Sequence, residues 1–387
     1  MTLRAIVIGT GWAGEGHTQA LRAAGVDVVA LCGRSPEPSH ALAQRLGVPA
    51  VYLDWRAALD ELRPDIVSIA TPGGAHHAVA VAAAEAGCHV ACEKPLAVTA
   101  AEARDMLATV ERTGVKHAYA ATGCYSTGFR HTRRLLADGL IGQVRAIQSQ
   151  YEGGSFPPPT LPYSWHHQPR EGGGMLNNVF THLLQQLLLM TRGSVTAAMG
   201  TTYRSLDRAP VGGVPHDARQ IAGMQLTPEQ AQAVEWRAVD VDQGFTVLLQ
   251  LGMPEGHMAT ALVTMPEGTH EPHPNFIAFH GSQGSLYLSA APGGLVPDHR
   301  LQHFDPARGT WVDLDIPHEV LAPGEDGPQH SWNQFFREFV ADVRGEGYAG
   351  YPTFHDGRVA VEVIEIVRSG RGWTRVLDHP ADAGGTS

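Results

Sequence analysis

Cysteine is scarce in this chain, charge is thin, and no apolar run is long. Four cysteines stand among 387 residues, at Cys32, Cys88, Cys92 and Cys124. None makes a C-x-x-C pair, which excludes a readable disulfide framework or cysteine metal module. Buried free thiols in a reducing cytoplasm are the expectation. No stretch has the apolar length to span a bilayer, and the N-terminus lacks a basic, hydrophobic, small-residue leader. Lys and Arg number 28 against 39 Asp and Glu, a net charge of −11. A nucleic acid or anionic membrane partner selects the opposite balance, so neither is expected. Hydrophobic residues at 43% and charged residues at 17% are those of a soluble globular protein. At this length two domains are expected. There is no internal repeat.

What is present begins at the start. The apolar run RAIVIG (4–9) leads into GTGWAG, and the helix-like EGHTQALRAAG follows. Strand, glycine turn and helix in this order form the dinucleotide fingerprint. Gly9 permits the tight turn, Gly11 lets a pyrophosphate approach the backbone, and Gly14 lets helix and strand pack closely. Trp12 and Ala13 lie between them on the same turn, where helix N–H groups face phosphate.

Alternation then continues. Strand-like runs at 4–9, 27–32, 65–70, 89–92 and 116–121 are separated by helical patterns at 15–24, 38–46, 55–63, 75–87 and 100–113. This predicts a doubly wound parallel α/β sheet with its ligand at the C-terminal strand ends. Gly33-Arg34-Ser35, Thr71-Pro72 and Glu93-Lys94-Pro95 stand at such ends. After about residue 122 the pattern changes. A helix at 129–138, a strand near 143–152, a Gly/Pro loop from 153 to 174 and an apolar helix at 175–191 precede several β-type stretches to about 316. An open, mostly antiparallel sheet is expected there, then helices at 331–344 and 356–369. The expected domains are 1–122 and 123–378, with a disordered tail at 379–387. The polar segment 205–232 reads as a long loop or insertion that could cover the site.

At the second strand end, NAD-binding folds place an acidic residue on the ribose 2′-hydroxyl. Gly33, Arg34 and Ser35 stand there instead. Arginine and a hydroxyl suit a 2′-phosphate, so NADP is the expected cofactor and NAD the alternative.

The stretch TPGGAHHAVAVAAAEAGCHVACEKPLAVTAAEA carries the second strong motif. With GTGWAG, Thr71-Pro72 followed by His76, AGCHVACEKPL, Trp165, Gly172-Gly173-Gly174, His182, HGSQGSLYL (280–288) and YPTFHDGRVAVEVIEIV (351–367), the chain resembles the Gfo/Idh/MocA oxidoreductase family over most of its length. The resemblance implies a Rossmann domain followed by an α+β domain whose open sheet supports a homodimer or homotetramer. It implies hydride transfer between nicotinamide and a carbinol of a sugar, glycoside, inositol or related polyol. It places Lys94 of the EKP motif beside nicotinamide and substrate, with Glu93 before it. Chemically, an ammonium there donates to the carbinol oxygen, and burial lowers its pKa.

Where the family has an aspartate four residues before its histidine, this chain has Asn178 before His182. That spacing puts both on one helical face. Asparagine holds a hydroxyl but takes no proton at neutral pH, so His182 is the expected proton acceptor. In ATGCYSTGF, Ser126 and Thr127 stand about where many relatives carry arginines, and Tyr125 beside them is a substrate candidate. Tyr163, Trp165, His166 and His167 are further pocket candidates, with loop packing the alternative. His166, His167, His182 and His273 could converge on zinc, but their spacing matches no metal motif, and no metal is expected. Two other functions stay open: a glycoside hydrolase or lyase that oxidises its sugar transiently with a retained cofactor, and a non-catalytic cofactor sensor.

Overall fold

The computed structural model describes residues 2–152, 161–213, 217–266, 274–290, 299–317 and 327–376. Position 273 and the tail from 377 lie outside them. In the first half, β1 (Arg4–Ile8), α1 (Trp12–Ala23), β2 (Asp27–Cys32), α2 (Pro36–Leu46), β3 (Ala50–Tyr52), α3 (Trp55–Leu62), β4 (Ile66–Ile69), α4 (His76–Glu85), β5 (His89–Glu93), α5 (Ala100–Thr113) and β6 (His117–Ala120) follow in turn. All strand pairs are parallel, in the order β3-β2-β1-β4-β5-β6. Ala5, Ile6, Val7, Ile66, Val67 and Ile69 have no exposed surface, because helices cover both faces. Order reverses between β1 and β4, which opens a crevice at their C-terminal ends. The helix ends follow local chemistry. Thr99 and Glu102 form a reciprocal capping box on α5, which stops at Gly114 with φ 69°.

The second half holds α6 (Thr127–Ala137), β7 (Val144–Gln150), α7 (Thr181–Thr191), β8 (Ser194–Tyr203), β9 (Arg208–Pro210), α8 (Pro228–Gln232), β10 (Trp236–Ala238), β11 (Gly244–Gly252), β12 (Met258–Met265), β13 (Asn275–Gly281), β14 (Ser285–Ala290), β15 (Arg300–Asp305), β16 (Thr310–Leu314), α9 (Gly327–Val343), α10 (Phe354–Arg368) and β17 (Thr374–Arg375). Its large sheet runs β16-β15-β14-β13-β7-β12-β11-β8-β17. Only the β7–β12 pair among them is parallel. Alternation along β12 sends Ala259, Ala261 and Val263 into a core shared with Leu183, Leu184 and Leu187 of α7 and Val363 and Ile364 of α10. The expected architecture is present.

Three local readings change. β3 was invisible because three residues set up no period. The segment expected as a loop or insertion at 205–232 carries β9 and α8, and β9 pairs antiparallel with β10 to make an arm. The apolar helix expected at 175–191 begins with a π-helical turn, Leu176–Phe180, ahead of α7.

The chain also returns to its beginning. Phe335, Phe336 and Phe339 of α9 are fully buried in one cluster with Ala5, Val7, Leu21 and Leu31. Gly16 of α1 lies so close to Trp332 that a Cβ there would sit 2.2 Å from the indole. Phe339→Ala is expected to cost about 3–5 kcal/mol of stability, read as a lower urea midpoint at unchanged slope. A loss under 1 kcal/mol would contradict the packing.

Candidate active site

A cavity of about 1220 Å³ runs from the GTGWAG turn to the wall of the second sheet. At its first end Gly9 has φ +118°, and a Cβ there would lie 2.3 Å from the Ala70 carbonyl oxygen. A Cβ on Gly14 would lie 2.0 Å from the Gly9 carbonyl oxygen. Backbone closeness therefore demands both glycines. Gly11 caps α1 with no side-chain hydrogen bond, so the first-turn N–H groups are left to a ligand. Trp12 and Ala13 line the cavity, and Trp12 meets the edge of Trp332 at 4.9 Å.

Gly33, Arg34 and Ser35 line the second-strand corner, and Arg34 is exposed there. Thr71 and Pro72 line the adjacent wall, where Thr71 Oγ1 is buried without a partner among the described residues. His76 lies behind this wall. Its ring nitrogens sit 2.8 Å from the carbonyl oxygens of Pro95 and Thr71, so it ties two loops together and is absent from the lining.

Glu93 closes β5 and is buried. Its carboxylate accepts from His17 Nε2 at 3.1 Å and Trp332 Nε1 at 3.3 Å. The Lys94 N–H donates to its other oxygen at 3.1 Å. Burial pushes the Glu93 pKa up, but the His17 hydrogen bond and the charges of His17, Lys94 and His182 outweigh it and hold the group at about 2. The Lys94–Pro95 peptide is cis. Burial lowers the Lys94 pKa, and Glu93 opposes that shift.

The other wall comes from the start of α7. Gly174 takes φ +96°, and Asp242 fills the space beside it. Asp242 accepts from the Leu176 N–H at 2.6 Å and from Arg368 Nη2 at 2.6 Å. A carboxylate thus caps the helix that carries the site. Asn178 donates to the Gly174 carbonyl at 2.8 Å and accepts from Lys94 Nζ at 3.4 Å. One turn on, His182 lines the same cavity. Burial, then the Lys94 charge, push its pKa down to about 4. Its Nδ1 is buried with no partner among the described residues. An ammonium, an amide and a neutral imidazole from two domains therefore face one space. That set can donate to a hydroxyl oxygen, orient it and take its proton.

Residues 3–121 match the model of the oxidoreductase family with an NAD-binding Rossmann fold, and residues 129–287 match the GFO/IDH/MocA C-terminal domain. The chain belongs to the GFO/IDH/MocA family. It is 28% identical over 260 residues to levoglucosan dehydrogenase of Pseudarthrobacter phenanthrenivorans, covering 66% of this chain and 63% of that protein. It is 30% identical over 159 residues to D-glucoside 3-dehydrogenase of Escherichia coli K12, covering 41% and 45%. These matches thus span less than two thirds of the curated relatives. Among solved structures, an oxidoreductase domain protein from Kribbella flavida superposes with TM-score 0.80 at 26% identity, over 97% of this chain and 100% of that one. Levoglucosan dehydrogenase in complex with NADH and L-sorbose superposes with TM-score 0.79 at 22% identity, over 97% and 99%, which speaks to fold.

Tyr163, Trp165 and His166 line this family member's cavity. Trp165 and His166 stack at 3.7 Å. Burial, then the charges of Lys94 and His167, lower the His166 pKa to about 3. His167 is outside the lining: it stacks behind Tyr163, and its Nδ1 accepts the Ser164 N–H at 3.0 Å. Tyr125 is also elsewhere. Its hydroxyl donates to Glu338 at 2.8 Å and its ring meets Phe335, so its side chain faces α9 and not the cavity. His273 lies outside the described residues, so its convergence with His166 and His182 has no structural account.

Several site residues escaped the sequence. Trp332 and Asp242 reach their partners across 239 and 66 positions, so no local spacing announces them. Gln186 lines the wall at the same helical interval as Asn178 and His182, a pattern that was readable. The arm contributes Val211 and Arg237, and its Arg219 donates to Glu15 of α1 at 2.8 Å.

Proposed function

We propose that this chain is an NAD(P)-dependent dehydrogenase or reductase acting on a ring or chain carbinol of a sugar, glycoside, inositol or related polyol, with Lys94 and His182 handling the proton. The observation that carries this reading is the meeting of Lys94 and Asn178, 3.4 Å apart from two domains, beside His182. The glycine cradle at Gly9 and Gly14 and the open N-terminus of α1 fit a dinucleotide pyrophosphate. When bound, nicotinamide supplies the hydride acceptor or donor. In the oxidative direction His182, neutral by burial, takes the carbinol proton, while Lys94 donates to the oxygen as negative charge develops. Asn178 holds the ammonium and stays uncharged. Trp165 offers a flat face to sugar C–H surface. The substrate class is supported by relatives named as sugar, glycoside and inositol dehydrogenases.

Turnover of a panel of polyols and glycosides, followed by absorbance of the reduced cofactor, tests the reading. Aglycone release without net cofactor change would replace it with the lyase alternative.

NADP is the favoured cofactor. No carboxylate stands among the lining residues Cys32, Gly33, Arg34, Ser35, Leu53 and Trp55 at the second-strand corner. Arg34→Ala is expected to weaken NADP binding by about 10- to 100-fold, the loss of a charge-assisted pair, and to leave NAD binding nearly unchanged. Calorimetric titration with both nucleotides checks this. A parent that prefers NAD, with no change in the variant, would overturn it.

The partner expected beyond the substrate is a second copy of the chain, as homodimer or homotetramer in the cytoplasm. The outer side of the large sheet supports this: Trp311 is 43% exposed there, with Tyr287 and Phe304 beside it. No helix among the described residues is long and apolar enough to cross a membrane.

A further inference from the structure

We infer that His17 is a positioning residue for the reaction: buried on α1, it holds the Glu93 carboxylate and, through it, fixes Lys94. This deepens the oxidoreductase reading above and rests on it. Three elements meet at the imidazole. His17 comes from α1, Ser68 from β4 and Glu93 from the end of β5. His17 and Ser68 have no exposed surface. The ring Nδ1 lies 2.8 Å from Ser68 Oγ, and Nε2 lies 3.1 Å from Glu93 Oε1. An ionised carboxylate only accepts, so Nε2 carries a hydrogen and donates it. The serine hydroxyl, donor and acceptor both, meets the other nitrogen. Trp332 and Phe336 of α9 stand edge-on to the ring, with centroids at 5.7 and 4.9 Å. The imidazole is held on every side.

Core filling does not account for this arrangement. Burying polar groups is costly, and an apolar side chain would also pack between Trp332 and Phe336. An apolar side chain cannot hold Glu93. The Glu93 oxygens are divided: Oε1 accepts from His17 and from Trp332 Nε1 at 3.3 Å, and Oε2 accepts the Lys94 N–H at 3.1 Å. The carboxylate that anchors the Lys94 backbone is thus itself anchored by His17. Without that donor, Oε1 keeps only the longer indole bond among the described residues, and the carboxylate is free to rotate away from the Lys94 N–H. Glu93 is also the charge that opposes the effect of burial on Lys94. The Lys94 side chain leaves little slack: its Nζ reaches Asn178 Oδ1 at 3.4 Å, already long for a hydrogen bond. A displacement of about 1 Å at such a group costs about 10²-fold in rate. Helix α1 therefore serves both ends of the site. Its first-turn N–H groups are left to phosphate, and its next turn steadies the lysine.

Two amide substitutions separate the two bonds of the ring. Counted along the side chain from Cα, the asparagine amide overlays Nδ1 and the glutamine amide overlays Nε2. His17→Gln therefore keeps a donor for Glu93 and gives up Ser68, whereas His17→Asn keeps Ser68 and gives up Glu93. The probes are levoglucosan, myo-inositol and methyl D-glucopyranoside, oxidised at saturating cofactor, with nucleotide affinity by fluorescence titration as the folding check. For the probe that the parent turns over best, His17→Asn is expected to lower kcat by about 10- to 100-fold, with KM and nucleotide affinity within a few-fold of the parent. His17→Gln is expected to recover most of that loss. In a Glu93→Gln background, His17→Asn is expected to cost nothing further, because a residue that acts through Glu93 has no other route. Equal losses in the two variants, an undiminished loss in the Glu93→Gln background, or a His17→Asn protein that no longer binds nucleotide would each mark a merely structural role. Any of these overturns the assignment while the oxidoreductase reading stands. A parent that turns over none of the probes overturns that reading, and this assignment falls with it.

Discussion

Lys94→Met is expected to lower turnover by about 10²–10⁴-fold while nucleotide affinity stays within a few-fold of the parent. The two effects separate because backbone and side chain serve different ends. The backbone N–H of residue 94 bonds to Glu93, and that bond is indifferent to the side chain. The ammonium points across the cavity to Asn178 at 3.4 Å. Methionine keeps most of the volume and removes the charge. Single-turnover rates with saturating cofactor, set beside calorimetric nucleotide titration, check the split. Parent-like turnover would remove Lys94 from the chemistry.

A companion substitution reports on the unusual asparagine. Burial lowers the Lys94 pKa, and of its charged neighbours Glu93 raises it. Asn178→Asp places a second carboxylate at the atom that accepts from the ammonium. The alkaline limb of the rate profile, set by loss of the Lys94 proton, should then move to higher pH. A limb that stays in place or moves down would show that some other group sets it.

The second large effect concerns His182. The oxidation rate should rise with pH through about 4 and level off toward neutrality, since burial and the Lys94 charge hold this imidazole at about 4. The neutral form is the base, so the active fraction grows as the proton leaves. His182→Asn is expected to lose this acid limb with about 10²-fold or more of the rate. The kcat/KM profile of parent and variant decides. An unchanged limb in the variant would assign the proton to another group. The same shift has a stability sign. Between the ordinary histidine value of 6.5 and about 4, the unfolded chain binds a proton that the folded site refuses. Stability therefore falls as pH drops through that window.

Much of this site could be read before folding because its demands are local. Gly9, Gly14 and the residues around Lys94 meet steric and electrostatic needs within one strand–turn–helix unit, and short motifs record such needs. Asn178 and His182 were readable as a pair because one helix sets their interval. Asp242, Arg368 and Trp332 were not, since their partners lie on distant elements and any polar or aromatic residue in sequence looks alike. Tyr125 shows the reverse error. Its neighbours in the chain border the cavity, but the 3₁₀ turn Thr122–Tyr125 directs Thr122 and Gly123 inward and the tyrosine toward Glu338. The sheet architecture was legible from alternation, while the three-residue strands and the π-helical turn were too short to set a period.

The return of α9 to the opening domain has a consequence for biosynthesis. The nascent nucleotide-binding half leaves the ribosome long before Trp332, Phe335, Phe336 and Phe339, which complete its interior and buttress Glu93. Its hydrophobic cleft must wait, open, for more than two hundred residues of translation. A fragment ending before α9 is accordingly a poor vehicle for isolating the dinucleotide module, and fusions or circular permutants succeed only where they keep that late helix attached.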